Sequence, residues 1–130
     1  MNERPKLKLE LTTTDKLLEI FAWVSVVIIW IIAIANYSSM SETIPIHFNL
    51  IGKADGFGSK NHIFGSPFIA TLLFAGLTIL NKFPHIFNYP THITSENALK
   101  QYTIATKIIR YLKLIVVVIF GVIVFYTILY

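Results

Sequence analysis

The chain of 130 residues contains no cysteine, and this absence excludes several kinds of site at once. Without thiols there is no disulfide framework, no thiolate nucleophile and no cysteine-ligated metal. For the same reason, cysteine usage does not indicate whether the protein works in an oxidising or a reducing compartment. Charged residues are also scarce, at 14% against 55% hydrophobic residues. Because soluble domains carry about 25% charged residues, this composition indicates a membrane protein.

Three apolar segments are long enough to form transmembrane helices. A helix needs about 20 apolar residues to cross a hydrocarbon core about 30 Å thick. We place the spans at residues 17–37, 62–81 and 108–130, and we expect Arg110 and Lys113 to snorkel toward the headgroups. The predicted fold class is therefore an all-α membrane protein, with an N-terminal segment 1–16 and a single membrane domain 17–130.

Basic residues divide unequally between the two sides of these spans. Four lie in the segment 1–16, and five lie in the loop 82–107 together with Arg110 and Lys113 just after it. The loop 38–61 has only two. The positive-inside rule then predicts a bacterial plasma-membrane protein with a cytoplasmic N-terminus, an extracytoplasmic loop 38–61 and an extracytoplasmic C-terminus. The net charge of +4 follows from this bias and does not indicate nucleic-acid binding.

The first span also has features of a signal peptide. Residues 33–35 form a small-residue site after an apolar run, as at a cleavage site. However, the preceding segment 1–16 carries acids as well as bases, and the apolar run is longer than a typical signal sequence. We therefore predict that the first helix is not cleaved and stays in the protein. The capping signal at residues 12–15 marks where this helix begins.

The inner loop 82–107 is expected to lead into a long third helix. Pro84 and Pro90 interrupt helical structure, and a capping signal at residues 94–96 starts a helix that runs from about Ser95 to the end. Its first turns form a cytoplasmic extension with an apolar stripe. The residues of this stripe are Leu99, Tyr102, Ala105, Ile108, Ile109 and Leu112. We expect the stripe to dock on the loop 81–92, and docking on the headgroups and docking on a second protein are the alternatives.

Trp23, Trp30 and Tyr37 are spaced seven residues apart, so they lie near one face of the first helix. We call them the aromatic face. This face is either a seam for helix packing or for a partner, or a set of interfacial aromatics in contact with lipid. Lipid contact is the simpler interpretation.

The outer loop holds the densest group of chemically specific side chains, at residues 44–60. Ile44, Ile46 and Phe48 alternate with other residues, which predicts a short extended segment with one apolar side. We expect too few strands for a sheet and a compact, ordered cap over the helix ends. Glycines in Asp55-Gly56 and nearby supply the turns.

Known types of reactive site match this loop poorly. His47, Asp55 and His62 are possible metal ligands, but their spacing fits no standard metal site. The glycines lack the Gly-Lys-Ser/Thr of a phosphate-binding loop, and no serine accompanies both a base and an orienting group. We therefore predict no metal, no cofactor, no catalytic residue and no enzymatic activity.

The segments 44–49, 52 and 54–60 together resemble the signature of the bacterial membrane domain DUF1648, which is also found at the start of SdpI-type immunity and signalling proteins. The residues that match the motif are Pro45, His47, Asn49, Gly52, Asp55, Gly56, Gly58, Ser59 and Lys60. A second stretch resembles the partner motif of short members; it comprises Phe87-Asn88-Tyr89-Pro90, Ile93-Thr94, Glu96-Asn97-Ala98, Gln101-Tyr102, Ile109-Arg110 and Leu112-Lys113.

The resemblance implies a domain with no assigned chemistry. SdpI-type proteins protect the producing cell from a secreted toxin and relay its presence to a repressor at the membrane, but they continue with further helices beyond three spans. The motif residues are either functional or architectural. In the architectural interpretation, Asn49 and Asp55 cap turns and Lys60 neutralises a helix end.

Three classes of function follow. The first is a binding, immunity or signalling component that uses the outer loop 44–60 to engage an extracytoplasmic peptide or protein. The alternative is a structural or accessory subunit that packs on a larger membrane complex, or on a second copy, through Trp23 and Trp30. A transporter or enzyme is the third, but Glu19 is the only charge expected inside the spans. The bilayer is a partner in each case.

Overall fold

The computed structural model describes residues 4–130, which form three α-helices: α1 (Thr13–Tyr37), α2 (Gly65–Leu80) and α3 (Ala98–Leu129). The first three residues of the predicted segment 1–16 lie outside the described residues. Within the described part, three helical stretches are long and apolar enough to cross a membrane, namely Thr13–Tyr37, Lys60–Leu80 and Ala98–Leu129. The prediction of a three-helix membrane protein is confirmed.

Between α1 and α2 the chain forms a β-hairpin. Strand β1 (Thr43–Phe48) pairs antiparallel with β2 (Ala54–Ser59), and a 3₁₀ turn (Lys60–Phe64) leads into α2. The expectation that this loop contains no sheet was wrong. The second strand was missed because its glycines, Gly56 and Gly58, are residues that strands usually avoid.

The predicted alternation along β1 is only partly present. Ile44 is buried in the core of the bundle, but Ile46 is half exposed. The cause is two irregularities in the pairing with β2, one on each side of His47, and such bulges change the face to which the following side chains point.

A capping box starts α1 at the predicted position. The Thr12 hydroxyl accepts a hydrogen bond from the Asp15 amide at 3.2 Å, and the Asp15 carboxylate accepts one from the Thr12 amide at 2.9 Å. Two of the amides that lack a partner in the first turn are thereby satisfied. By contrast, α3 begins at Ala98 rather than near Ser95, because Thr94 and Asn97 first close a turn with reciprocal side-chain hydrogen bonds.

The core runs between the helices and reaches the hairpin. α3 packs against both α1 and α2, and Gly121 of α3 lies close to α1, since a Cβ atom there would lie 3.2 Å from Ile29. Ile44 of β1 and Ile63 of the 3₁₀ turn join the same core as Ala22, Phe74 and Val117, so the hairpin is fixed to one end of the bundle. We call this the hairpin end, and the opposite end the loop end.

At the loop end, the N-terminal segment, the loop 81–97 and the first turns of α3 pack together. Tyr102, which is fully buried, forms a second cluster with Ile93 and Tyr89. The Arg4 guanidinium donates hydrogen bonds to the carbonyls of His85 at 3.2 Å and Phe87 at 2.6 Å. Burial raises the pKa of the Tyr89 phenol above its usual value, so Tyr89 stays a neutral donor to its own loop.

The expected docking of α3 on this loop is present, but the predicted stripe is only partly right. Tyr102 is buried as the stripe requires, whereas Leu99, Ile108 and Leu112 are exposed. The rest of the buried face carries polar and charged residues, namely Thr106, Arg110 and Lys113. Apolar side chains face outward here because polar partners on the other two helices occupy the interior, which is a common arrangement for membrane-embedded helices.

Candidate functional site

The motif residues lie together in the hairpin and in the turn that leads to α2, and several of them build the hairpin itself. Asn49 closes the connection between the strands. Its amide donates to the Lys53 carbonyl at 2.9 Å, and its side-chain oxygen accepts from the amides of Ile51 and Lys53 at 3.1 and 3.0 Å. Gly52 completes this turn with a φ of +76°, a conformation that side chains with a Cβ atom disfavour.

Two glycines of β2 allow close packing against β1 and the 3₁₀ turn. A Cβ atom on Gly56 would lie 3.0 Å from the Cβ of His47. On Gly58 it would lie 3.2 Å from Ile46 and 3.3 Å from the His62 ring. A Cβ atom at either position would require these neighbours to shift by a few tenths of an ångström, so both glycines fit the close packing of the hairpin.

Lys60 connects the hairpin to the segment after α1. Its ammonium lies 2.8 Å from the Glu42 carboxylate and 5.0 Å from the centre of the Tyr37 ring, and its amide donates to the Glu42 carbonyl at 2.9 Å. The expected neutralisation of a helix end by Lys60 is therefore replaced by an ion pair. Next to it, the Ser59 hydroxyl caps the 3₁₀ turn by accepting from the Asn61 amide at 3.4 Å.

His47 and Asp55 form an exposed pair on the hairpin. The Asp55 carboxylate contacts Nδ1 of His47, and the two side chains are 71% and 43% exposed. Asp55 therefore pairs with His47 and does not serve as the turn cap that was expected. His62 points elsewhere, with Nδ1 at 2.8 Å from the Ser59 carbonyl. Among residues 4–130, no group of three or more His, Cys, Asp or Glu side chains is placed to hold a metal ion.

The aromatic face of α1 packs against α2 and the turn before it, in the same chain. Trp23 meets the Phe74 ring edge-on at 4.6 Å. Trp30 stacks on Phe64 at 6.3 Å and donates to the Thr71 hydroxyl at 2.9 Å. Tyr37 also lies against Phe64, at 5.1 Å. These contacts orient the aromatic face toward α2, although Trp23 keeps a large exposed surface.

A cluster of charged side chains lies between the helices toward the loop end, and sequence reasoning missed it. The Lys113 ammonium lies 2.5 Å from the Glu19 carboxylate and 3.0 Å from the Thr78 hydroxyl, so it bridges all three helices. Arg110 lies 3.3 Å from Glu19 and 3.6 Å from Asp15. Lys107 completes the cluster, 3.9 Å from Asp15.

The prediction that Arg110 and Lys113 snorkel to the headgroups was wrong. Lys113 is only 1% exposed and Arg110 is buried, because carboxylates on α1 provide partners inside the bundle. One signal was available in the sequence: Asp15 and Glu19 are four residues apart, and Arg110 and Lys113 three apart. Each pair therefore shares one helix face, and the two pairs have opposite charge.

The cluster is closely packed but not fully hydrogen-bonded. Within residues 4–130, Asp15 Oδ1 and Arg110 Nε are buried without a hydrogen bond of good geometry, so charge attraction alone holds them. Two neutral groups nearby, Asn81 Oδ1 and the Tyr102 hydroxyl, are also buried without a partner. Ionisable groups inside a membrane bundle are costly, and here they join α1 to α3.

Three helices that are long and apolar enough to cross a membrane define the class of this protein, a multi-pass membrane protein. Residues 24–71 match the model of a family described as a domain of unknown function, DUF1648. The match runs from α1 through the hairpin into α2 and includes every motif residue of the outer loop.

One relative is an uncharacterized protein from Archaeoglobus fulgidus, which is 28% identical over 88 residues. The alignment covers 62% of this chain and 48% of the archaeal protein, so the chain spans about half the length of this relative. No solved structure matches the chain.

Proposed function

We propose that this protein is a binding component of a bacterial plasma membrane, which uses its hairpin to engage an extracytoplasmic peptide or protein in immunity or signalling. One observation carries the proposal. Asn49, Gly52, Gly56, Gly58 and Lys60 are used to build and anchor the hairpin, whereas His47 and Asp55 form an exposed pair on its surface.

The hairpin offers this pair in a preorganised form. Ile44 anchors β1 in the core, and the backbone hydrogen bond from the Lys60 amide to the Glu42 carbonyl ties the end of β2 to the segment after α1. An exposed ion pair adds only about 0–1 kcal/mol to folding stability, so the pair is better suited to recognition than to holding the fold. A ligand that binds a rigid surface also loses less affinity to ordering that surface.

The orientation is part of the proposal. Basic residues concentrate at the loop end, in the N-terminal segment and around the start of α3. A cytoplasmic loop end agrees with the positive-inside rule and places the hairpin outside the cell. We also propose that the protein is not an enzyme, because Ser59, the serine of the motif, caps the 3₁₀ turn and is not hydrogen-bonded to the His47–Asp55 pair.

The test uses His47→Ala and Asp55→Ala in the cell that makes the protein, with Lys53→Ala as an exposed control on the same hairpin. We expect both variants to lose capture of the extracytoplasmic partner in a cross-linking and mass-spectrometry experiment, while membrane abundance stays at the wild-type level. Capture by both variants at the wild-type level would contradict the proposal, as would equal loss in Lys53→Ala.

An accessory subunit is the second candidate, and one observation favours a specific surface for it. Because the aromatic face packs on α2, a partner helix would use the apolar groove of about 260 Å³ between α1 and α3, beside Ile28, Val118 and Phe125. Gentle extraction followed by native mass measurement tests this candidate. A heteromeric complex that Val118→Trp disrupts would support it, and a lone chain would count against it.

A further inference from the structure

A cavity of about 420 Å³ lies at the hairpin end, between the end of α1, the hairpin and the end of α3. Its size falls in the range of about 300–1,000 Å³ that is usual for small-molecule sites. It lies at the ends of two helices that are long and apolar enough to span a membrane, and from this position we infer a depth near the boundary between the hydrocarbon core and the headgroups. A ligand at this depth meets both an apolar and a polar environment.

The lining has two kinds of side chain, and none of them is charged. Polar residues come mainly from the segment around the end of α1, with Asn36, Ser39 and Ser41, while Phe57, Ile128 and Tyr130 provide apolar walls. None of the residues that line this cavity is Asp, Glu, Lys, Arg or His. An anionic group inside it would therefore lose water without gaining a cationic side chain as a partner, which is strongly unfavourable.

Three of the polar side chains that line the cavity already donate a proton to a main-chain carbonyl. The Ser39 hydroxyl donates to the Asn36 carbonyl, the Asn36 amide group donates to the Ile32 carbonyl, and the Thr127 hydroxyl donates to the Ile123 carbonyl, each at 2.9 Å. The side-chain oxygens of these three residues keep lone pairs, and the Asn36 amide group keeps a second N–H. A ligand that carries its own hydroxyl protons complements this arrangement.

We propose that the cavity binds an uncharged amphiphile with a hydroxyl-bearing head and an apolar chain, of which a monoacylglycerol is representative. The head lies near the oxygens of Asn36, Ser39 and Thr127, and the chain lies along Phe57 and Ile128. This site goes beyond the proposed function and stands without it, because His47 and Asp55 do not line the cavity.

The experiment places the full chain in phosphatidylcholine nanodiscs with a monoacylglycerol that carries a diazirine in its chain. After photolysis, mass spectrometry locates the labelled residues. We expect saturable labelling at lining residues such as Met40, Phe57 and Ile128, with competition by unlabelled monoacylglycerol. A lysophosphatidic acid with the same chain should label these positions at least about tenfold less, because its phosphate finds no cationic side chain in the cavity.

Two matched variants test the location. Ser41 lines the cavity, whereas Ser38, in the same segment, does not, and both residues are exposed. Ser41→Trp should reduce the saturable labelling at least about fivefold by filling the space, and Ser38→Trp should leave it unchanged.

Two results would overturn the proposal. One is labelling of the wild-type protein that spreads evenly over lipid-facing residues such as Val118 without saturation. The other is equal labelling by the anionic probe, which would show that the site does not select an uncharged head. Both results come from the wild-type protein, so the conclusion does not depend on the folding of a variant.

Discussion

In the ion pair between Glu19 and Lys113, we expect the loss of Glu19 to destabilise the protein more than the loss of Lys113. Glu19→Gln leaves the Lys113 ammonium buried among neutral groups, namely the new side-chain amide, the Thr78 hydroxyl at 3.0 Å and the Phe74 ring at 4.8 Å. Loss of one partner from a buried pair costs about 3–5 kcal/mol, because the remaining charge has no counter-ion. We expect Glu19→Gln to destabilise the protein by this amount.

The reverse change has a smaller expected effect. Lys113→Met leaves Glu19 with Arg110 at 3.3 Å, and the Glu19 side chain is 24% exposed, so it retains both a counter-ion and water. We expect a loss of about 1–3 kcal/mol. The double variant removes both charges and places an apolar side chain in the bundle. It should be more stable than Glu19→Gln alone, with a coupling energy of about 2–3 kcal/mol between the two sites.

The assay is reversible unfolding in mixed micelles with increasing sodium dodecyl sulfate, followed by circular dichroism. Lys107→Met is the matched control, because this lysine is 34% exposed and lies 3.9 Å from Asp15; it should cost less than about 1 kcal/mol. Equal effects of Glu19→Gln and Lys113→Met that add in the double variant would refute the reasoning, since they would show two independently solvated charges.

Three further predictions use the same unfolding assay. Gly52→Ala should cost about 1–2 kcal/mol, because a φ of +76° strains any residue with a Cβ atom, and a smaller loss would mean that the turn rearranges. Gly121→Val should cost about 1–3 kcal/mol through contact with Ile29 at 3.2 Å, whereas Gly76→Val, with open space around the Cβ position, should not show this penalty. Thr12→Ala should cost about 1 kcal/mol by removing the cap of α1; an unchanged midpoint would show that water replaces the cap.

Local patterns predicted part of the site correctly and part of it wrongly. The motif at 44–60 was identified from its side chains, but the role of each one depends on its neighbours in space. Asn49 bonds within four residues, so its turn-closing role was accessible from local reasoning. Asp55, by contrast, is a turn cap only in the architectural interpretation of the motif, and in the structure it contacts His47 across the hairpin, a pairing that depends on the strand register.

The sequence by itself determined that three helices enter a membrane, because hydropathy and helix length are local properties that the bilayer thickness selects. It also determined the start of α1, since a capping box involves residues only three positions apart. Only the tertiary structure decided where the charges of α3 go. Lys113 finds Glu19 across 94 residues of chain, and whether a lysine points to the headgroups or into the bundle depends on the acceptors that another helix places there.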